Sequence, residues 1–313
     1  MCIRDRLYPF ALIFSYLTTR RRRKYIKNIN ESYKADVPII VVGNLTIGGT
    51  GKTPLVKHIA IELIERGYKP GIVSRGYGGK FKETLQVKED SSVKETGDEA
   101  QILAKLNLPF YLDKNRVRAV KTLIKNHDCD VIISDDGLQH YSMARDIEIA
   151  VIDGKRRFGN NLTFPAGPLR ESIKRLKSVD FIVNNSGPTE EDEFLMSVSP
   201  SKFVHLKSGK SYSVDNWPMH KQIHAVAGLG NPGRFFDLLE KLGFEIIRHP
   251  FPDHHNFTSS DMFYLDHLPI VMTEKDASKC KDLDINKIWY LTIDADVSNK
   301  FIDKLDNKLK SLN

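Results

Sequence analysis

The stretch VPIIVVGNLTIGGTGKTP, Val37 to Pro54, decides how the rest of the chain is read. A β-branched apolar run (Ile39, Ile40, Val41, Val42) meets a glycine-rich turn that closes on Gly51-Lys52-Thr53. Helical spacing begins directly afterwards, with Leu55, Ile59 and Leu63 on one side and Gly67 as a stop. Strand, loop and helix stand in the order of a phosphate-binding P-loop. In that arrangement successive backbone N–H groups of Thr46, Ile47, Gly48, Gly49, Thr50, Gly51, Lys52 and Thr53 face anionic oxygens. Lys52 neutralises the β/γ-phosphates, and the Thr53 hydroxyl sits on Mg²⁺. One position departs from the pattern: Thr46 stands six residues before Lys52, where a glycine is usual. Gly48, Gly49 and the Gly51-Lys52-Thr53 core are kept, so the loop can still wrap a phosphate.

A P-loop alone binds phosphate; hydrolysis or transfer needs a carboxylate at the end of a neighbouring strand to serve the metal. Val131 to Asp136 (VIISDD) is an apolar strand ending in Asp135 and Asp136. Two adjacent acids there repel each other unless a cation lies between them, which gives the run the form of a Walker B element. Further along, Gly71 to Ser74 predicts a strand running into the loop Arg75-Gly76-Tyr77-Gly78-Gly79. Thr96-Gly97-Asp98-Glu99 predicts a helix start with its acids in the first turn, where negative charge is favoured. Phe110–Leu112 and Ile147–Ile152 predict strands and Arg116–Lys125 a helix. This alternation implies an α/β fold of the P-loop NTPase type, with a mostly parallel sheet and helices on both faces.

From Val179 to about Trp217 the pattern is less regular, with a polar run over Asn184–Glu193 and a weak strand near Phe203–Leu206. A new unit begins near Gln222 with strand Ile223–Ala227, helix Phe235–Leu242 and strand Glu245–Arg248. The expected division is therefore an N-terminal segment over 1–24, a P-loop domain over 25–210 and a smaller C-terminal α/β domain over 211–313. The loop Gly228-Leu229-Gly230-Asn231-Pro232-Gly233 matches GxGxxG, but the second strand ends Arg248-His249 with no acid to hold a ribose. It reads as a tight strand-to-helix turn.

The net charge of +7 points to an anionic partner: nucleic acid, phospholipid or a phosphorylated substrate. No basic patch with interleaved aromatics accompanies it, so no nucleic-acid partner is expected. The densest basic cluster, Arg20 to Lys24, instead follows the apolar run Leu7–Leu17. Eleven residues fall short of the about 20 needed to span a bilayer. They suit an interfacial helix on an anionic membrane surface, where each basic residue contributes about 1 kcal/mol. The alternative is a helix packed on the protein's own core. Cys2, Cys129 and Cys280 are too scattered for a disulfide framework or a zinc site.

GNLTIGGTGKTPLV, SRGYGG, GDEA, SDDGLQH, FPAGPLRE and the late PDHH, in this order, resemble the tetraacyldisaccharide 4'-kinase family from about Tyr8 to Asp276. Thr46 in place of glycine is typical of that family. The resemblance implies ATP-dependent phosphorylation of the 4'-hydroxyl of a tetraacylated glucosamine disaccharide 1-phosphate, a step of lipid A biosynthesis. It places the enzyme peripherally on the cytoplasmic face of the inner membrane, with a lipid substrate and no obligate protein partner. It also assigns roles to residues that are unremarkable alone. Glu171, otherwise a surface acid after a proline-stiffened loop, joins Thr53, Asp135 and Asp136 around Mg²⁺. Asp98 pairs with a histidine of Asp253-His254-His255 as a base dyad, and His254 is favoured because it directly follows Asp253. Arg75 and Arg170 are candidate phosphate or headgroup contacts. Two other classes compete with this reading. A positioning or partitioning ATPase of the deviant Walker type needs a Lys where this chain has Ile47. A kinase of a soluble acceptor would leave the apolar N-terminus without a purpose.

Overall fold

The runs read as buried strands make the middle of one continuous sheet. The computed structural model describes residues 3–28 and 31–312, so Cys2 lies outside the described residues. The helices are α1 (Ile3–Lys27), α2 (Lys52–Glu65), α3 (Val93–Thr96), α4 (Asp98–Ala104), α5 (Arg116–Asn126), α6 (Gly233–Lys241), α7 (Glu274–Ser278) and α8 (Asn299–Lys310). The first seven strands are β1 (Ile39–Gly43), β2 (Pro70–Ser74), β3 (Leu85–Gln86), β4 (Phe110–Leu112), β5 (Val131–Asp135), β6 (Ile147–Asp153) and β7 (Phe181–Asn185). The remainder are β8 (Glu193–His205), β9 (Ser211–Ser213), β10 (Gln222–Ala227), β11 (Glu245–Pro250), β12 (Ile270–Thr273) and β13 (Ile288–Val297). Their order across the sheet is β11-β10-β12-β13-β8-β7-β6-β1-β5-β2-β4-β3, with β9 attached to β8. Pairing is parallel except at β3/β4, β8/β13 and β8/β9.

Alternation along β1 explains why helices cover both faces. Ile40 and Val42 pack with Leu55, Ile59 and Leu63 of α2, while Ile39 and Val41 pack with Ala119, Val120 and Leu123 of α5. Each such fully buried aliphatic side chain contributes roughly 1.5–3 kcal/mol. The C-terminal helix α8 returns to this first half: Phe301, Ile302, Leu305 and Leu309 join the α2 side of the core.

The stretch expected to be irregular is ordered. β7 occupies Phe181–Asn185, and β8 runs for 13 residues instead of the short strand expected at Phe203–Leu206. Only Met196 and Phe203 of β8 are buried, so a strand held by backbone pairing to β13 and β7 carries no apolar run to announce it. The polar residues after β7 have structural work. Asn184 is buried and donates to the Pro188 carbonyl and to Glu193, both at 2.7 Å. The expected boundary near 210 falls in the β8–β9 hairpin, and β13 joins the two halves by pairing with β8.

Candidate active site

The C-terminal ends of β1, β5 and β2 lie side by side, with Val42 beside Asp135 and Val73 beside Ser134. The loop after β1 is the P-loop, and its frame comes from the rest of the chain. Buried Asn44 donates to the Gly48 carbonyl (3.2 Å) and to the Thr50 hydroxyl (3.1 Å). Asn185 donates to the Thr50 carbonyl (3.0 Å), and Arg156 to the Gly49 carbonyl (3.2 Å). Thr46 takes the first glycine's place because it forms an extended bridge with Leu169, a conformation that needs no glycine. Gly51 does need to be one: its φ is +92°, and a Cβ there would stand 2.5 Å from the Asn185 amide. It caps α2 without a side chain, which leaves the first helical N–H groups free for an anion.

Lys52 is largely buried and lies 3.5 Å from Asp136. Arg170 makes two bonds to the same carboxylate, at 2.8 and 3.1 Å. Burial pushes the Asp136 carboxyl up, but Lys52 and then Arg170 overcome it and hold it below the usual carboxylate range. Asp135 is different. It is wholly enclosed, and burial raises its carboxyl to about 6, against the pull of Lys52. Ser74 donates to its Oδ2 at 3.3 Å, while its Oδ1 is buried with no partner. An orphaned carboxylate oxygen is costly unless something cationic occupies it.

Glu171 accepts from Tyr141 at 2.6 Å through Oε1, and its Oε2 faces Gln139 at 3.5 Å and Arg175 at 3.8 Å. Gln139 also faces Arg170, the partner of Asp136, at 3.5 Å. Among the described residues no three His, Cys, Asp or Glu side chains form a group that could hold a metal. Mg²⁺ does not require one, since it is usually held by one or two carboxylates with the remaining positions filled by phosphate oxygens and water. Asp135, with its vacant oxygen, fits such an ion.

Asp98 begins α4, held there by Gly97. That glycine has φ +84°, and a Cβ on it would lie 2.3 Å from the Tyr77 carbonyl. His254 lies in the loop after β11, itself at φ +60°. The two meet at 3.2 Å, His254 Nδ1 to Asp98 Oδ2, across 156 residues of sequence. His255 points elsewhere and pairs with Asp261 at 3.2 Å. The Tyr77 ring of the Arg75–Gly79 loop lies 6.1 Å from the His254 ring.

Three residues that sequence reasoning missed complete the site. Lys279 and Lys275 approach Asp98 at 3.4 and 3.9 Å. Arg116, nearly inaccessible, donates to the carbonyls of Asp113, Asp135 and Asp136 at 3.2, 3.4 and 3.3 Å. Burial lowers its guanidinium to about 10, partly offset by Asp135 and Asp136. It thereby clamps Asp136, whose φ of +48° is strained for a non-glycine residue. None of the three lies in a recognised motif: the two lysines sit well beyond Asp253-His254-His255, and the arginine opens a helix.

A cavity of 530 Å³ opens beside the P-loop, lined by Thr53, Asp153, Asn185, Leu229, Phe235 and Lys275 among others. The Gly228–Gly233 loop, through Leu229, borders the same cavity as the P-loop. At the far side α1 rests on the loop before Arg170. Thr163 donates to the Ala11 carbonyl (2.8 Å), and Phe14 meets Phe164 edge-on. Tyr8, Phe10, Leu12, Ile13, Tyr16 and Leu17 are exposed. No described helix is long and apolar enough to cross a membrane.

A glycine-rich phosphate loop, a fixed lysine, paired strand-end aspartates and a separate Asp–His pair on a parallel α/β sheet define a P-loop phosphotransferase. The family described as tetraacyldisaccharide-1-P 4'-kinase matches residues 3–310. A tetraacyldisaccharide 4'-kinase of Ruthia magnifica subsp. Calyptogena magnifica is 47% identical over 97% of this chain and 96% of its own length. One from Methylobacillus flagellatus is 43% identical over 98% and 92%. The crystal structure of LpxK from Aquifex aeolicus in complex with ATP superposes with a TM-score of 0.85 at 27% identity, covering 98% of this chain and all of that one. The chain belongs to the tetraacyldisaccharide 4'-kinase family. It is an ATP-dependent phosphotransferase acting on an alcohol in lipid A biosynthesis.

Proposed function

We propose that the chain moves the γ-phosphoryl group of ATP onto the 4'-hydroxyl of a tetraacylated disaccharide 1-phosphate, with Asp98 as proton acceptor. The meeting of Asp98 and His254 at 3.2 Å, contributed by opposite halves of the chain, is the observation that carries this reading. The P-loop from Thr46 to Thr53 wraps the phosphates. Lys52, 3.5 Å from Asp136, serves the β/γ oxygens. Thr53 and Asp135, with Asp136 and Glu171 nearby, would hold Mg²⁺, which would neutralise phosphate charge. Asp98 takes the hydroxyl proton as that oxygen attacks phosphorus and the bond to the bridging β–γ oxygen breaks. His254 orients the carboxylate and stabilises its charge. Arg170 keeps Asp136 in place through its two bonds.

The exposed apolar residues of α1, with the basic run Arg20 to Lys24, lay the enzyme on the anionic cytoplasmic face of the inner membrane, where the lipid acceptor resides. The testing experiment supplies purified protein with Mg²⁺, ATP and a detergent-dispersed acylated disaccharide 1-phosphate, and follows phosphate onto lipid. Transfer to the lipid with none to glucosamine or a deacylated disaccharide is expected. Equal turnover with the soluble sugars, or ATP hydrolysis indifferent to any acceptor, would overturn the substrate assignment.

A further inference from the structure

One face of α4 and its C-terminal cap carries Asp98, Gln101 and Lys105, at the i, i+3, i+7 spacing of a single helical side. Each has a polar partner in or just after α7, in the other half of the chain. Lys105 binds Glu274 at 2.6 Å, and Lys281 donates to Gln101 at 3.0 Å. The rung at Asp98 is Lys279, at 3.4 Å. Its side chain is only 6% exposed, and its ammonium also reaches Asp276 Oδ1 at 3.2 Å. Asp276 is itself fully buried, its Oδ2 accepting from the Gly228 N–H (3.0 Å) and the Thr273 hydroxyl (2.8 Å). Lys279 therefore ties the N-terminus of α4 to a fixed point under the Gly228 loop.

The contacts of Asp98 are also one-sided. His254, Lys275 and Lys279 all meet it at Oδ2, and among the described residues nothing is hydrogen-bonded to Oδ1. His254 is a loose tether by itself, 46% exposed on a strained loop. Lys275 is shared with Asp253 at 3.4 Å. Lys279 is the enclosed, doubly anchored partner of the three.

We propose that Lys279 is a positioning residue for the phosphoryl transfer: by bridging Asp98 to Asp276 it holds Oδ2 and turns Oδ1 towards the acceptor hydroxyl. This rests on the reading of Asp98 as proton acceptor. A displacement of about 1 Å at a reacting group costs on the order of 10²-fold in rate. Lys279→Met is thus expected to lower kcat about 10²-fold while leaving the KM for ATP nearly unchanged, since the phosphates are held elsewhere. The loss falls on kcat and not on ATP binding, so direct nucleotide binding and the acidic limb of the pH–rate profile are recorded alongside kcat. A merely structural lysine would reduce the amount of active enzyme and leave kcat per folded molecule in place. Lys279→Gln, neutral and one bond too short to span Asp98 and Asp276 together, carries the same test in a polar side chain should the methionine variant not fold. Lys279→Arg is expected to return kcat towards its wild-type value. Lys281→Met removes the neighbouring rung without touching Asp98 and leaves kcat where it is.

The assay is transfer from ATP to the dispersed acyl disaccharide 1-phosphate by the full chain across pH, with Asp98→Ala measured in parallel. If Asp98→Ala loses turnover while folded Lys279→Gln keeps the wild-type kcat, the positioning role is overturned and the base assignment survives. If Asp98→Ala itself turns over normally, the base assignment fails and the positioning role with it.

Discussion

Replacing Asp135 by asparagine should make the nucleotide-free protein more stable at pH 8 and at the same time unable to use Mg²⁺·ATP. Asp135 is enclosed, its Oδ1 has no partner, and burial raises its carboxyl from 3.8 to about 6. A carboxyl whose folded value lies above its unfolded one binds its proton more tightly in the folded state. Its contribution to stability is therefore complete below the unfolded value and is lost as pH rises through about 6. At 1.36 kcal/mol per unit, the loss at pH 8 comes to about 3 kcal/mol. Asparagine, isosteric with the protonated acid, escapes it. For a chain of this length the unfolding entropy is about 0.7 kcal/mol/K, so the variant should melt about 4–5 °C higher at pH 8. At pH 5 the margin should shrink to roughly half, because the wild-type folded state is then mostly protonated. Saturating Mg²⁺·ATP should raise the melting temperature of the wild type far more than that of the variant. Thermal melts at the two pH values, with and without nucleotide, read all of this. A variant that melts no higher than wild type at pH 8, or gains equally from Mg²⁺·ATP, would refute the idea that an uncompensated charge waits there for a cation.

Lys52→Ala should abolish transfer in a protein whose circular dichroism is near wild type, because the loop loses its fixed cation against the phosphates; a folded variant with a tenth of wild-type activity would exclude this loop as the catalytic nucleotide site. Changing Phe10 and Leu17 together to serine should weaken co-sedimentation with anionic vesicles while kcat on a fully dispersed acceptor stays close to wild type. Both side chains are exposed on α1, so unaltered vesicle binding would remove α1 from membrane attachment.

Much of this architecture is legible in the sequence because it rests on local signals. The P-loop declares itself through Gly48, Gly49 and Gly51-Lys52-Thr53, and the flanking strands through continuous β-branched runs that both faces of the sheet bury. β8 escaped because its stability comes from backbone pairing with β13, which leaves most of its side chains in partial contact with solvent. The pairing of Asp98 with a histidine was accessible through family resemblance alone; 156 residues separate them, and no periodicity reports a contact of that range. Arg116, Lys275 and Lys279 were missed for the same reason. Each looks like an ordinary charged helix residue until the fold brings it against a carboxylate or a strained carbonyl. Glu171 likewise owes its metal assignment to motif position alone; no periodic signal reports its contact with Tyr141.

The central claim is that Asp98 and His254 act as one unit on the acceptor hydroxyl, and a kinetic double-mutant cycle tests it most directly. Asp98→Ala and His254→Ala should each lower kcat by roughly 10²–10⁴-fold, with ATP affinity, measured in parallel by direct binding, little changed. Because residues that work as a unit are non-additive, the double variant should lose scarcely more than the worse single one. His255→Ala, whose ring pairs with Asp261, should show no such coupling to Asp98. Losses that multiply in the Asp98/His254 double variant would contradict the dyad.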